Sequence, residues 1–291
     1  MSKIDKIATI ILNYNSSADC RKCIGYLKRQ QGIEQEIVVV DNCSREDDRK
    51  AVETMCREQS CTFIANNRNK GYNAGNNVGL RYAAERGWDF ALIANPDMEF
   101  PQTHYLATLL AKMQEDEDIV VCGSDIVCAD GIHQSPMYKD GNWRGSFGWI
   151  KEIFCKKKQS EAYDFIDNHK QSHYCHKVSG CCFMIRTSFL KEIDFFDENV
   201  FLYCEEAILS RQVEMAGKRM YYLATSKAVH RHIKNEKGDP VKRFKMWGKS
   251  RCYFIDRYSN DHWIGKQIAK LSMRLYVMTF KLYNKIKKSR T

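Results

Sequence analysis

The chain has 291 residues, 44% hydrophobic and 28% charged, with only 4 prolines. That composition suits one large α/β domain or two small ones and excludes a disordered or collagen-like chain. The net charge of +10 is concentrated: eight basic and no acidic residues fall in 265–291, and setting those eight aside leaves 38 basic against 36 acidic, which disfavours a wholly basic nucleic-acid-binding body.

No stretch approaches the roughly 20 apolar residues of a membrane-crossing helix. The opening run MSKIDKIATIILNYN lacks the longer apolar region and small-residue cleavage site of a secretory signal. With 13 cysteines, an odd number, and no such signal, reduced thiols and a cytoplasmic location are expected.

Residues 7–12 (IATIIL) predict a short strand, broken by Asn13, Tyr14, Asn15 and Ser16. Residues 19–30 have helical spacing, with Cys23, Ile24 and Leu27 on one face. Residues 36–40 (EIVVV) are a continuous apolar strand of the kind buried on both faces of a parallel sheet. It ends in Asp41, Asn42, Cys43 and Ser44. A helix over 46–58 and a strand over 61–65 follow. A polar, glycine-containing loop over 66–77 (NNRNKGYNAGNN) then leads into a helix ending near Gly87. Residues 88–94 (WDFALIA) predict a fourth strand, ending at Asn95, Pro96 and Asp97. This alternation implies an α/β fold with a mostly parallel, doubly wound central sheet flanked by helices, whose ligands bind beyond the carboxyl ends of the strands. Three polar clusters, 13–16, 41–44 and 95–97, sit at such ends.

Residues 128–177 are less regular and read as an insertion covering the acceptor side of the site. They hold Trp143, Phe147, Trp149, Phe154 and three lysines at 156–158. Residues 178–185 are strand-like, and Glu205-Glu206 open a helix ending near Gly217. Residues 220–224 predict one strand, and Val229-His230 the end of another; Phe201 and Tyr203 read as core. The division expected is a body over 1–240 and a basic, amphipathic helical region over 241–291. There Ile268, Leu271, Leu275, Met278, Leu282 and Ile286 recur at helical spacing among Lys and Arg. The pattern fits two readings equally: a helix packed on the body with a solvated basic face, or an interfacial helix on an anionic membrane surface through 265–291. In the second reading, Trp143, Phe147, Trp149 and the lysines at 156–158 supply a further contact.

A carboxylate directly after a buried strand, Asp97, can hold a hard divalent cation that bridges phosphate oxygens. Asn95 can add an oxygen or a hydrogen bond, and His230 can complete the metal shell. Asp41 can accept hydrogen bonds from a base or ribose. Asn42 and the Asn69–Asn77 segment, with Gly71 and Asn76, offer amides to a ribose or diphosphate. Glu205 or Glu206 can serve as general base. Mg²⁺ and Mn²⁺ both suit these oxygens.

In order, the pieces TIILNYN, EIVVVDNCS, NNRNKGYNAGNNVGL, LIANPDMEF, VSGCCFMIRTSFLKEIDFFDENVFLYCEEAILSRQVEMAGKRMYYL and AVHRH resemble glycosyltransferase family 2, in its bacterial rhamnosyltransferase-like branch. The resemblance runs from Ile7 to about His232. It implies the GT-A nucleotide-diphosphate-sugar transferase fold. It also implies inverting transfer from a dTDP-rhamnose or UDP-hexose donor to a glycan or lipid-linked acceptor in surface polysaccharide synthesis, at the inner face of the plasma membrane. By position, Asn13 and Asn15 would lie in the nucleotide pocket and Asp41 would contact the donor's base. Asn95-Pro96-Asp97 would replace the family's Asp-any-Asp motif, with Asp97 the main metal ligand and His230, or His232 two residues on, a further one. Glu206 stands where the family's Glu-Asp motif puts its catalytic Asp. The Glu-Glu pair and Ile208, where the family often has another Asp, depart from the pattern. They keep open a degenerate scaffold that binds nucleotide without turnover, and the basic tail keeps open a nucleic-acid-binding alternative.

Overall fold

A computed structural model of the chain describes residues 6–150, 166–231 and 239–288. The N-terminal half is the alternation the sequence predicts. Strands β1 (Lys6–Asn13), β2 (Glu34–Asp41), β3 (Thr62–Ala65) and β4 (Phe90–Ala94) are separated by helices α1 (Ser17–Leu27), α2 (Glu46–Glu58) and α3 (Tyr72–Glu85). They pair in parallel in the order β3-β2-β1-β4. Continuous Ile, Val, Leu and Ala runs in β1, β2 and β4 satisfy a sheet buried on both faces. Cys20, Ile24, Val52 and Met55 cover one face, and Leu80 and Ala83 the other. The helix α3 lies close against the sheet: a Cβ on Gly75 would stand 2.6 Å from Leu12, and one on Gly79 2.6 Å from Ile10.

The second half adds β5 (Met98–Glu99), α4 (Tyr105–Gln114), β6 (Ile119–Cys128), β7 (His173–Cys175), β8 (Cys182–Arg186), α5 (Thr187–Glu192), α6 (Glu205–Met215) and β9 (Arg219–His230). The full order is β3-β2-β1-β4-β8-β6-β9-β5, with β7 also on β9. Here the sheet is mixed. The strand β8 runs antiparallel to both β4 and β6, whereas β6 and β9 are parallel. The excursion between β6 and β8 leaves and returns at one sheet edge, which reverses β8 and sets Gly180 and Cys181 beside the end of β4. There the Asn95 N–H donates to Cys181 O at 2.8 Å. The two short strands expected near 220 and 230 are a single strand. Its pairing jumps from Ser124↔Leu223 to Asp125↔Lys227, so residues 224–226 bulge out and interrupt the pattern.

The C-terminal region is a hairpin of α7 (Pro240–Arg257) and α8 (Trp263–Lys288). Asp239 caps α7, accepting from Val241 N at 2.9 Å, and Pro240 starts it, as helix N-termini favour. Phe254, Ile255 and Ala269 bury against Val200, Ala207 and Ile208 beside α6. Trp143 covers Gly265. Trp149 stacks on Tyr276 at 4.8 Å, and its indole N–H donates to Ser272 Oγ at 2.8 Å. Both tryptophans are thus half-buried against α8, whereas Phe147 is exposed. Phe154, the lysines at 156–158 and His232 lie outside the described residues. Among the described residues, no helix is long and apolar enough to cross a membrane.

Candidate active site

The carboxyl ends of β1, β2 and β4 lie along one edge, with Asn13 directly opposite Asp41. The Asn13 amide donates to Asp41 Oδ1 at 3.0 Å and to Asp48 Oδ2 at 2.9 Å, and Ser44 N donates to Asp41 Oδ2 at 3.1 Å. Burial opposes charge on Asp48, but hydrogen bonds from Asn13 and Ser17 outweigh it and hold this carboxyl below its usual range. Asn13 and Asp41 are fully enclosed and Asn42 nearly so. As folded, Asp41 shapes the floor of this region and is not presented to a base at the surface. Asn15 is on the rim, with φ of 55°, and its side-chain oxygen accepts from Arg45 N at 2.8 Å.

The segment expected to be a loop through Asn77 becomes helical at Tyr72, so only Asn69 and Gly71 remain in the turn. Asn69 Oδ1 accepts from Gly71 N at 2.9 Å and from the Asn42 amide at 3.1 Å. Gly71 has φ of 106°, and a Cβ there would stand 2.3 Å from Phe201 O. Its requirement is thus steric: it lets Tyr72 N donate to Phe201 O at 2.9 Å. Asn76, expected to offer its amide to the donor, is buried in α3 and donates to Tyr72 O at 3.1 Å. Asn77 is likewise internal, donating to Phe196 O at 2.8 Å.

At the next strand ends, β5 pairs with β9 so that Met98 lies opposite His230. This pairing brings His230 Nε2 to 3.2 Å from Asp97 Oδ1. The other ring nitrogen meets Gln134 Oε1 at 2.8 Å. An acceptor at Nδ1 fixes the proton there and aims Nε2 at Asp97. Burial works against charge on this imidazole, but the Asp97 carboxylate and the Cys181 sulfur outweigh it, and its pKa is pushed up to about 10. A divalent cation would have to displace the proton from Nε2; the carboxylate oxygen and the freed imidazole nitrogen at this separation could then hold it, its other ligands coming from phosphate and water. Among the described residues no group of three or more His, Cys, Asp or Glu is gathered for a metal.

A cavity of about 490 Å³ opens beside the pair, lined among others by Tyr72, Asn95, Glu205, Glu206 and His230. Glu205 and Glu206 start α6. Tyr203 and Cys204 before them have φ of 74° and 69°, a tight backbone that turns the helix start toward the cavity. Tyr203 N donates to Glu205 Oε1 at 2.7 Å. Burial, and then the neighbouring Glu206 carboxylate, push Glu205 up to about 7. Glu206 Oε1 accepts from Gly180 N at 3.3 Å, and a Cβ on Gly180 would stand 2.8 Å from that oxygen. Glu206 also borders a second, larger cleft of about 820 Å³ walled by Trp247, Arg251, Tyr276 and the 140–149 segment. Phe201 and Tyr203, expected in the core, are respectively exposed and on the cavity wall.

The structure thus gathers Asn95, Glu205, Glu206 and His230 on the wall of one cavity, with Asp97 reaching it only through its 3.2 Å contact with His230, and Asn13, Asp41, Asn42, Asn69 and Gly71 in a hydrogen-bonded network farther along the edge. The sequence pattern does not point to Gln134, Tyr72 or Asp48. The Tyr72 hydroxyl lies 3.0 Å from Asn95 Oδ1 and 2.7 Å from Gly180 O. Its place at the start of a helix after a glycine was the available signal; Gln134 sits in an irregular stretch that carries none.

Residues 9–194 match the family described as Glycosyl transferase family 2, more than half of the chain. A low-salt glycan biosynthesis hexosyltransferase, Agl10, of Haloferax volcanii is 28% identical over 206 residues, 70% of this chain. The aligned part spans 60% of that relative's length. An N-acetylglucosaminyl-diphospho-decaprenol L-rhamnosyltransferase of Mycobacterium tuberculosis is 29% identical over 83 residues, 28% of this chain and 27% of its own. Among solved structures, S. aureus TarS 1-349 in complex with UDP superposes with TM-score 0.58 at 17% identity, over 91% of this chain and 69% of that one. A mannosyltransferase of Pyrobaculum calidifontis, in complex with GDP-Man and Mn2+, gives TM-score 0.60 at 13% identity, over 95% and 70%. These solved structures share the GT-A fold, and with the family match running from β1 past α5 the chain belongs to glycosyltransferase family 2.

Proposed function

We propose that this glycosyltransferase is metal-dependent and inverting. It moves a hexose or rhamnose from a UDP or dTDP donor to a hydroxyl of a lipid-linked glycan acceptor in cell-surface polysaccharide synthesis, working from the cytoplasmic side of the membrane. The observation that carries the reading is that His230, held 3.2 Å from Asp97, lines one cavity together with Glu206. The relatives support the finer parts: the Haloferax protein is a hexosyltransferase of glycan biosynthesis, and the mycobacterial one is named for a lipid-diphosphate acceptor.

In this mechanism Glu206 takes the proton of the acceptor hydroxyl as its oxygen bonds to the anomeric carbon. The bond from that carbon to the diphosphate breaks on the opposite face, and the electron pair leaves with the diphosphate. A divalent cation held by Asp97 and His230 would stabilise the charge on that leaving group. Gln134 keeps the imidazole turned toward Asp97, and Tyr72 orients Asn95 at the rim. Gly180 leaves room for the Glu206 carboxylate, and Asn42 and Asn69 fix the turn before α3.

The test is thermal stabilisation by UDP, dTDP, GDP, CDP and ADP, with and without Mn²⁺ or Mg²⁺. A ligand that binds only the folded state raises stability, by about 2.7 kcal/mol at a hundred times its Kd. Metal-dependent stabilisation by UDP or dTDP, lost in Asp97→Ala, is expected. No shift with any nucleotide overturns the site. A shift with no turnover on any glycan acceptor supports the binding-only scaffold instead.

A further inference from the structure

The helix α8 has two working faces. One is internal: Ala269, Met273 and Tyr276 wall the larger cleft that Glu206 borders, and Ser272 is tied to Ser146 O at 2.7 Å. The other carries Ile264, Leu271, Leu275, Met278, Leu282 and Ile286, each between 41% and 59% exposed. Their spacing of seven, four, three, four and four keeps them in one stripe about 33 Å long. Soluble proteins rarely leave such a continuous apolar strip in water.

Beside the strip runs a row of exposed cations, Arg274, Lys281 and Lys285, also at helical spacing. Lys270, which would extend the row, is instead paired with Asp256 at 2.5 Å. No Asp or Glu occurs from residue 262 onward, so nothing acidic in this helix opposes an anionic surface. Exposed Trp263 stands at the helix start, an amphipathic ring suited to a lipid–water boundary. An apolar strip with a basic flank supplies both signals that stable surface binding needs.

We propose that the outer face of α8 docks the enzyme on an anionic phospholipid surface, with the helix lying in the plane of the interface. The cleft wall is on the opposite side of the same helix, so the cleft stands about one helix diameter, roughly 10 Å, above the headgroups. An acceptor sugar held on a lipid would reach Glu206 from below without leaving the membrane. The proposal extends the lipid-linked reading of the acceptor, but docking itself requires neither donor nor acceptor.

The experiment is co-sedimentation of the full chain with phosphatidylcholine vesicles with and without phosphatidylglycerol, at low and high salt. Two variants are compared: Leu271→Gln/Leu275→Gln/Met278→Gln, and Arg274→Gln/Lys281→Gln/Lys285→Gln. All six side chains are exposed, so circular dichroism and the nucleotide-dependent thermal shift should match the wild type. Expected is binding that requires phosphatidylglycerol, weakens in salt, and falls roughly tenfold or more in each variant. The proposal is overturned if the wild type stays in the supernatant with anionic vesicles, or if either variant binds as well as the wild type. It is also overturned if light scattering shows a dimer that the apolar variant disperses while vesicles capture nothing; the strip is then an interface between copies. A failed nucleotide panel with intact vesicle binding would sink the donor assignment and leave the docking face standing.

Discussion

Glu205 and Glu206 are neighbours with different surroundings. Glu205 is pinned by Tyr203 N and pushed up to about 7 by burial and by Glu206. Its value in the unfolded chain is that of an ordinary glutamate, about 4.3. Folding therefore favours its protonated form, and the stability it contributes is full below about pH 4 and lost as pH rises through about 7. Glu205→Gln should then stabilise the protein by on the order of 1–3 kcal/mol at pH 8 and by nothing near pH 4; urea unfolding at the two pH values checks the sign. Glu206→Gln should leave nucleotide binding intact and lower kcat by roughly 10² to 10⁴. A larger loss in Glu205→Gln, read from the same kinetics, would transfer the base to that residue. Gln134 holds His230 Nδ1 at 2.8 Å and lines the same cavity; its proposed role is to position that imidazole. Gln134→Met should weaken the metal-dependent part of the nucleotide stabilisation by about 10- to 100-fold in Mn²⁺ affinity, with metal-free stability little changed. An unaltered Mn²⁺ titration would show that the imidazole needs no such support.

At the scale of elements, two glycines make opposite predictions. Gly71 combines φ of 106° with backbone 2.3 Å from where a Cβ would sit. Gly71→Ala should cost on the order of 3 kcal/mol or more and displace the turn leading into α6. Gly25, in the last turn of α1, has nothing within 4 Å. Gly25→Ala should be neutral or stabilising by up to about 1 kcal/mol. Denaturant melts of both variants decide it.

The same elements explain what the sequence discloses. The alternation up to β4 is legible because each strand is a pure apolar run and each ends in a polar cluster. The strand β6 carries no such run, because Gly123, Ser124 and Asp125 sit in its middle. In the fold they are matched from outside the strand: Ser124 Oγ lies 2.8 Å from the Tyr105 hydroxyl, and Asp125 Oδ1 lies 2.6 Å from His133 Nδ1. Gly123 admits Val178, whose Cγ1 would be 2.6 Å from a Cβ there. Periodicity cannot register partners supplied by distant segments. The same holds for the site: Asp97, His230 and Glu206 are visible by their place after strands and before a helix. Asn76 is misplaced because an Asn-rich run hides a helix start at Tyr72.

On the scale of the whole molecule, the C-terminal hairpin is both wall and outer surface. Its inner residues are buried with Ala207 and Ile208 of α6, directly after the glutamate pair. Deleting residues 265–291 should therefore lower the melting temperature and acceptor turnover together, since it removes Ala269, Met273 and Tyr276 from the cleft wall. A deletion that left stability and kcat unchanged would mean the hairpin is an accessory. Substitutions confined to the exposed strip isolate docking from this loss, which truncation cannot do.

The two-residue strand β5 has a consequence in time. It joins Asp97 to an imidazole that enters the chain 133 positions later, and the clasp is sealed by Arg231 N donating to Asp97 O at 2.9 Å and by Arg231 paired with Glu99 at 3.1 Å. A ribosome needs on the order of ten seconds for that interval. Glu206 arrives within the same interval, so a nascent or prematurely ended chain has strands β1 to β4 and their helices without Glu206, His230 or the cavity they line. Under the proposed mechanism, an unfinished chain would hold no general base and so would not consume an activated sugar before its acceptor side is built.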